Sequence, residues 1–244
     1  MNYRNALIAL LLIVSVLGDL SFAQGKSADS HKRKAALLAS SGMLNQAISE
    51  YTLVLETDPQ DTEARYYRAL AYISKEFFPQ AIEDLSEVLA QKTTDPEAYY
   101  YRGEVYTRTE QTDLALEDFN AALKLDPKHE KALKARATVY LNQGRADKAL
   151  QDYGTALRAN PDDINLYAQR AAIYIEDKRY RDAVNDYTEI LKRKPDSITA
   201  LYKRGELYMD GLQDKSKACA DYKKACDLGK CANYENAVQA GECS

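Results

Sequence analysis

Apolar residues recur with a fixed period of 34 from about residue 28 to residue 230. Counting units from residues 28, 62, 96, 130, 164 and 198, the eighth position is always small: Ala35, Ala69, Gly103, Ala137, Ala171 and Gly205. The eleventh is large: Leu38, Tyr72, Tyr106, Tyr140, Tyr174 and Tyr208. The twentieth is Ala47, Ala81, Ala115, Ala149 and Ala183, and the twenty-fourth is Tyr51, Leu85, Phe119, Tyr153, Tyr187 and, after a one-residue insertion, Tyr222. Positions 4, 7, 8 and 11 fall on one helical face, and 20, 24 and 27 on another. Each unit therefore predicts two amphipathic helices. Gly42 and Gly144 mark the turn between them, although Glu76, Glu110 and Lys178 take that place in other units. Pro59, Pro127, Pro161 and Pro195 end the second helix; the second unit is broken instead at Thr93-Thr94-Asp95-Pro96.

Small residues facing bulky ones let two antiparallel helices approach closely, with a ring filling the gap beside them. A unit of this length copied along a chain stacks on its neighbours and buries a continuous core. With its small, large, alanine and aromatic positions in register, the chain resembles the tetratricopeptide repeat (TPR) family over residues 28–230. That resemblance implies an all-α fold, a right-handed α-solenoid of six helix-turn-helix units with a C-terminal capping helix. The expected division is 28–61, 62–95, 96–129, 130–163, 164–197 and 198–231, followed by a disulfide-linked cap at 232–244. The insertion falls near Asp210 to Ser216.

A basic residue accompanies the period at position 7: Lys34, then Arg68, Arg102, Arg136, Arg170 and Arg204. Position 23 is acidic: Glu50, Asp84, Asp118, Asp152, Asp186 and, after the insertion, Asp221. The spacing places these groups on opposing helices. It reads as a repeated ion pair that sets helix register, in preference to an arginine ladder for a ligand. An exposed pair of this kind contributes only about 0–1 kcal/mol.

All four cysteines lie near the C-terminus: Cys219, Cys226, Cys231 and Cys243. Two disulfides are expected, with free buried thiols as the alternative; a zinc site is disfavoured because the Cys-x-x-Cys spacing is missing. Cys219 and Cys226 are seven apart on one helix, about 10.5 Å at 1.5 Å per residue, too far to bridge. Of the two remaining connectivities, the hairpin geometry favours Cys226–Cys231 with Cys219–Cys243. Ala232 to Gln239 predicts a short helix ended by Gly241.

Residues 1–23 read as a secretory signal peptide. Arg4 precedes an apolar run from Ala6 to Leu17, and Ser21-Phe22-Ala23 offers small residues for cleavage after Ala23. An uncleaved N-terminal anchor is the alternative. Residues 24–27 form a linker. The expected location is secreted or periplasmic, with no membrane span after cleavage.

The net charge of −4 provides no concentrated basic face, so no nucleic-acid partner is expected. Hydrophobic content of 45% argues for a folded mature chain. No nucleophile, phosphate loop or metal-spaced pair stands out, so no catalysis, cofactor or metal is expected. His31 and His129 read as solvated surface residues.

The resemblance implies that the first helix of each unit lines a concave groove for an extended peptide or a partner's helix. The candidate groove residues are Tyr66, Tyr100, Glu104, Arg108, Lys131, Lys134, Asn142 and Tyr202. The tyrosines supply aromatic anchors, and Arg108, Lys131 and Lys134 a basic cluster suited to a carboxylate. The subset of the family that clamps acidic chaperone termini uses a lysine and an asparagine. Lys32 meets the first requirement, but Ala36 and Tyr66-Tyr67 do not meet the second. The expected role is a non-catalytic protein-interaction scaffold. The alternatives are an accessory subunit binding a small molecule or glycan, or a helper of an enzyme on another chain.

Overall fold

The computed structural model describes residues 27–243, and the signal-peptide assignment lies outside them. The described residues are all-α. They divide into two compact units, one ending at Pro127 and one beginning at Lys128. The first holds α1 (residues 27–40), α2 (Leu44–Thr57), α3 (Thr62–Ser74), α4 (Phe78–Gln91), α5 (Pro96–Arg108) and α6 (Thr112–Leu125). The second holds α7 (Glu130–Asn142), α8 (Ala146–Ala159), α9 (Ile164–Glu176), α10 (Tyr180–Arg193), α11 (Ile198–Glu206), α12 (Lys215–Asp227) and α13 (Ala232–Gln239). Odd and even helices pair as hairpins through α11 and α12, and α13 packs on α12.

Local chemistry sets the helix ends. Asp61, Asp95, Asp163, Ser197 and Asp214 each accept a backbone N–H in the first turn of α3, α5, α9, α11 and α12. His129 does the same for α7, its Nδ1 accepting from the Ala132 N–H at 3.2 Å. This corrects the surface reading of His129, which is only 7% exposed. His31 is half-buried, with Nδ1 2.5 Å from Glu50 Oε2. That bond, then Lys34 at 2.6 Å, holds the Glu50 carboxyl below its ordinary range.

The turns inside the hairpins require a left-handed residue. Gly42 and Gly144 supply it at φ 75° and 70°, but Glu76, Glu110 and Lys178 adopt it at φ 60°, 61° and 56°. A side chain there costs roughly 1 kcal/mol, partly regained through a stiffer unfolded chain. Lys178→Gly is therefore expected to stabilise the second unit by about 0.5 kcal/mol, raising Tm by about 1–2 °C. A lower Tm would show that the side chain makes compensating contacts.

Core packing follows volume compensation. Ala35, Ala47, Ala64, Ala69, Ala81 and Ala98 are fully buried. Glycine stands at the eighth position only at Gly103 and Gly205. A Cβ on Gly103 would lie 2.8 Å from the Phe119 ring, and one on Gly205 would lie 2.5 Å from the Tyr222 ring. In both hairpins a tyrosine of the first helix also leans on that ring, Tyr100 on Phe119 and Tyr202 on Tyr222, at 6.3 Å in each case. Where only one of the two aromatics is present, as with Tyr66 and Leu85 or Lys134 and Tyr153, alanine fits. The insertion is absorbed as a π-helical turn, Leu207–Gly211. Gly211 there sits against Tyr180, where a Cβ would fall 2.8 Å from the ring.

Candidate functional site

Each position-7 arginine is held by an aspartate and faced by a tyrosine, and Arg68, Arg102 and Arg204 make a third contact. Arg68 donates Nε and Nη2 to Asp84 at 2.8 Å each, and Arg102 reaches Asp118 in the same way at 2.8 Å each. Arg136 reaches Asp152 at 2.9 and 2.6 Å, Arg170 reaches Asp186 at 2.9 and 2.5 Å, and Arg204 reaches Asp221 at 2.8 and 2.7 Å. The acids are buried and the arginines half-buried. Each guanidinium also faces the tyrosine one turn on, from Arg68 over Tyr72 at 5.8 Å to Arg204 over Tyr208 at 6.0 Å. Lys34 and Leu38 depart from the pattern together, as expected if arginine and tyrosine act as a pair.

The third contact was not anticipated. Nη1 of Arg68, Arg102 and Arg204 donates to Thr52, Ser86 and Thr188 at 3.1, 3.0 and 3.0 Å. These hydroxyls belong to the second helix of the preceding hairpin, so the arginine ties hairpins to each other as well as helices within one. The bonds hold all five guanidinium groups above their ordinary pKa. For Asp186, burial pushes the carboxyl up against the pull of Arg170. The bidentate geometry favours the ionised pair.

At the C-terminal end, Cys219 and Cys243 are bonded with Cα atoms 5.6 Å apart, and Cys226 and Cys231 with Cα atoms 3.9 Å apart. The first pair joins α12 to the residues after α13, and Cys243 shares a small core with Met209, Ala218, Tyr222 and Ala237. Gly241, at φ 71°, closes α13 as the loop doubles back, with the Glu242 N–H bonded to the Ala237 carbonyl.

The faces of the first helices differ between the two units. In the first, six rings run in sequence: Tyr51, Tyr67, Tyr66, Tyr101, Tyr100 and Phe119, with successive centroids 5.0–6.3 Å apart. Tyr67 is 45% exposed, and Tyr66, Tyr100 and Tyr101 are half-buried. Burial pushes the hydroxyls of Tyr66 and Tyr100 well above the ordinary tyrosine value, with Glu97 adding to both and Glu104 to Tyr100. A cleft of about 690 Å³ opens between α1 and α3 over Ala36, Ala39, Tyr51 and Tyr67. Tyr51 and Tyr67 were absent from the candidate groove residues. The exposure of Tyr67 follows from its position, but Tyr51 comes from a second helix and enters the wall only through packing.

Of the other candidates, Arg108, Lys134 and Tyr202 are already engaged. Arg108 bonds Glu104 at 2.9 Å and Lys134 bonds Glu130 at 3.0 Å, each one turn away on its own helix. This offsets the positive charge they would present to a carboxylate. Arg108 belongs to the first unit, Lys131 and Lys134 to the second. Lys131 and Asn142 are exposed. The Tyr202 hydroxyl donates to the Lys230 carbonyl at 2.5 Å, which fastens it to the loop between Cys226 and Cys231. Among the described residues no group of histidine, cysteine and acidic side chains is placed to hold a metal, and no helix is long and apolar enough to cross a membrane.

Known proteins agree on the fold. Comparison with curated proteins finds no match. Among solved structures, the C-terminal part of a TPR repeat-containing protein from Cytophaga hutchinsonii superposes with a TM-score of 0.71 at 19% identity, covering 86% of this chain and 83% of the other. PilF from Pseudomonas aeruginosa gives 0.65 at 16%, covering 90% and 99%. YrrB, described as a TPR protein with an unusual peptide-binding site, gives 0.60 at 20%, covering 79% and 97%. Three models described as tetratricopeptide repeat match residues 96–129, 130–163 and 169–235. Those matches take in more than half of the sequence, and with the repeated hairpins and their knob-and-hole cores they establish that the chain belongs to the tetratricopeptide repeat family.

Proposed function

We propose that the chain is a non-catalytic interaction scaffold that binds an extended peptide, or an extended segment of a partner protein, along the wall made by its first helices. The rings of Tyr66, Tyr67, Tyr100 and Tyr101, with Tyr67 exposed above an open cleft and buried Tyr51 and Phe119 behind them, carry this reading. Aromatic side chains offer large contact area for little lost freedom, which is why they dominate binding hot spots. Tyr66 and Tyr100 serve as anchors, with Glu104 and Arg108 as polar contacts beside them. In the second unit, taken by itself, Lys131, Lys134 and Asn142 are the polar candidates and Tyr202 the aromatic one. The peptide-binding site named for YrrB favours the same class of ligand, an argument by analogy from a shared fold. Two cysteine pairs within bonding distance suit an oxidising compartment, and with residues 1–23 as a signal they favour a secreted or periplasmic location.

The test is affinity capture from the organism's exported fraction with wild-type protein and with Tyr67→Ala/Tyr100→Ala. A stoichiometric protein is expected with wild type, and at least about tenfold weaker binding by the variant. Equal capture by both would move the site off this wall. A small molecule that stabilises the chain, with no protein captured, would favour the accessory-subunit alternative.

A further inference from the structure

The wall of the first unit carries two clefts, one hairpin apart, with the Tyr67 ring between them. The first is lined by Ala36, Ala39, Tyr51 and Tyr67, with Asp29, Lys32, Arg33 and Glu63 around them. The second, of about 340 Å³, is lined by Tyr66 and Tyr67 with Glu63, Asp95, Glu97 and Lys92. Its two rings meet edge to face, at 76° with centroids 5.4 Å apart. Three carboxylates face one ammonium there. Lys92 lies 3.5 Å from Asp95, and Lys32 lies 3.4 Å from Glu63 at the border with the first cleft. Glu97 and Asp95 both act on the Tyr66 hydroxyl, after burial, to keep it protonated.

Resting on the peptide-binding reading above, we infer that the partner segment is basic. It places a lysine or arginine side chain in the Tyr66–Tyr67 cleft and an apolar side chain in the Ala36–Ala39 cleft. A cation over a tyrosine face is attracted by the ring quadrupole, and its N–H groups find carboxylate acceptors at the rim. An acidic segment would instead meet Glu63, Asp95 and Glu97 at short range. The spacing suits an extended chain. Packed helices lie about 8–10 Å apart and a strand advances about 3.3 Å per residue, so the two side chains are about two or three residues apart.

The test is fluorescence anisotropy on the full chain. The probe is a fluorescein-labelled peptide of serine and glycine carrying lysines, each spaced three residues from a leucine. A second peptide replaces every lysine by glutamate, and both are also made with lysine and leucine order reversed. The lysine peptide is expected to bind at least about tenfold tighter than the glutamate peptide, weakening as salt rises. Glu97→Lys should reverse or abolish that preference while leaving the circular dichroism spectrum unchanged. Equal binding of both peptides, or a preference unmoved by Glu97→Lys, overturns the inference. If the glutamate peptide binds tighter and Tyr67→Ala removes it, the wall is a peptide site of the opposite charge. If Tyr67→Ala changes the binding of no peptide, the wider peptide-binding reading fails as well.

Discussion

Asp118→Ala is expected to destabilise the α5–α6 hairpin by about 3 kcal/mol. The carboxylate is 4% exposed and accepts two bonds from Arg102, whose guanidinium also reaches Ser86. Its removal leaves a charged group enclosed with two donors unmet, a loss of about 3–5 kcal/mol for a fully buried pair. The 20% exposure of the Arg102 side chain lets water reach it and places the cost at the lower end. The double variant Arg102→Met/Asp118→Leu should recover most of the loss, because two apolar groups of similar size leave no orphan charge. Its remaining deficit measures the tie to Ser86 in the preceding hairpin. Hydrogen exchange of α5 and α6 amides is the suitable readout, since an array of repeats need not unfold in one step. A single-variant loss below about 1 kcal/mol would mean that the pair behaves as a surface ion pair.

Cys219→Ser/Cys243→Ser is expected to weaken the C-terminal end by about 3.5 kcal/mol. The estimate comes from the entropy of a closed loop, given the sequence separation of 24. The Cys226–Cys231 bond, with a separation of 5, contributes about 2 kcal/mol on the same basis. The larger effect has a packing component, because Cys243 completes the small core around Tyr222. Loss should appear first as faster amide exchange in α13 and α12. Tyr202 should follow, since its hydroxyl bonds the Lys230 carbonyl within the shorter loop. Unchanged exchange in α12 and α13 after full reduction would show that apolar packing alone holds the cap.

These cases show which features were legible in advance. The Arg102–Asp118 spacing could be read because both ends keep their residue types in nearly every repeat. The hydroxyl contact could not, because position 25 runs Thr52, Ser86, Asn120, Gly154 and Thr188 and looks like ordinary surface variation. His129 was misread for a related reason: a histidine in a loop after proline gives no sign that its ring caps a helix and is buried. The repeat places Glu76, Glu110 and Lys178 at the turn, and the structure adds that they adopt the left-handed φ of the glycines there.

By itself, the sequence determined that the chain is a helical repeat, because helix pairing depends on small and large residues at fixed intervals and these survive in every copy. Why glycine and not alanine stands at Gly103 and Gly205 emerged only from the fold, where Tyr100 with Phe119 and Tyr202 with Tyr222 crowd the closest approach. Only the tertiary structure decided the candidate site. The cleft under Tyr67 is made by α1, α2 and α3 together, and the second cleft brings Tyr66 near carboxylates at the start of the next hairpin. Repeat position places Tyr66 on the groove face, but it is silent about which residues of neighbouring helices meet there. Their meaning lies in proximity across helices, which appears only when the chain is folded.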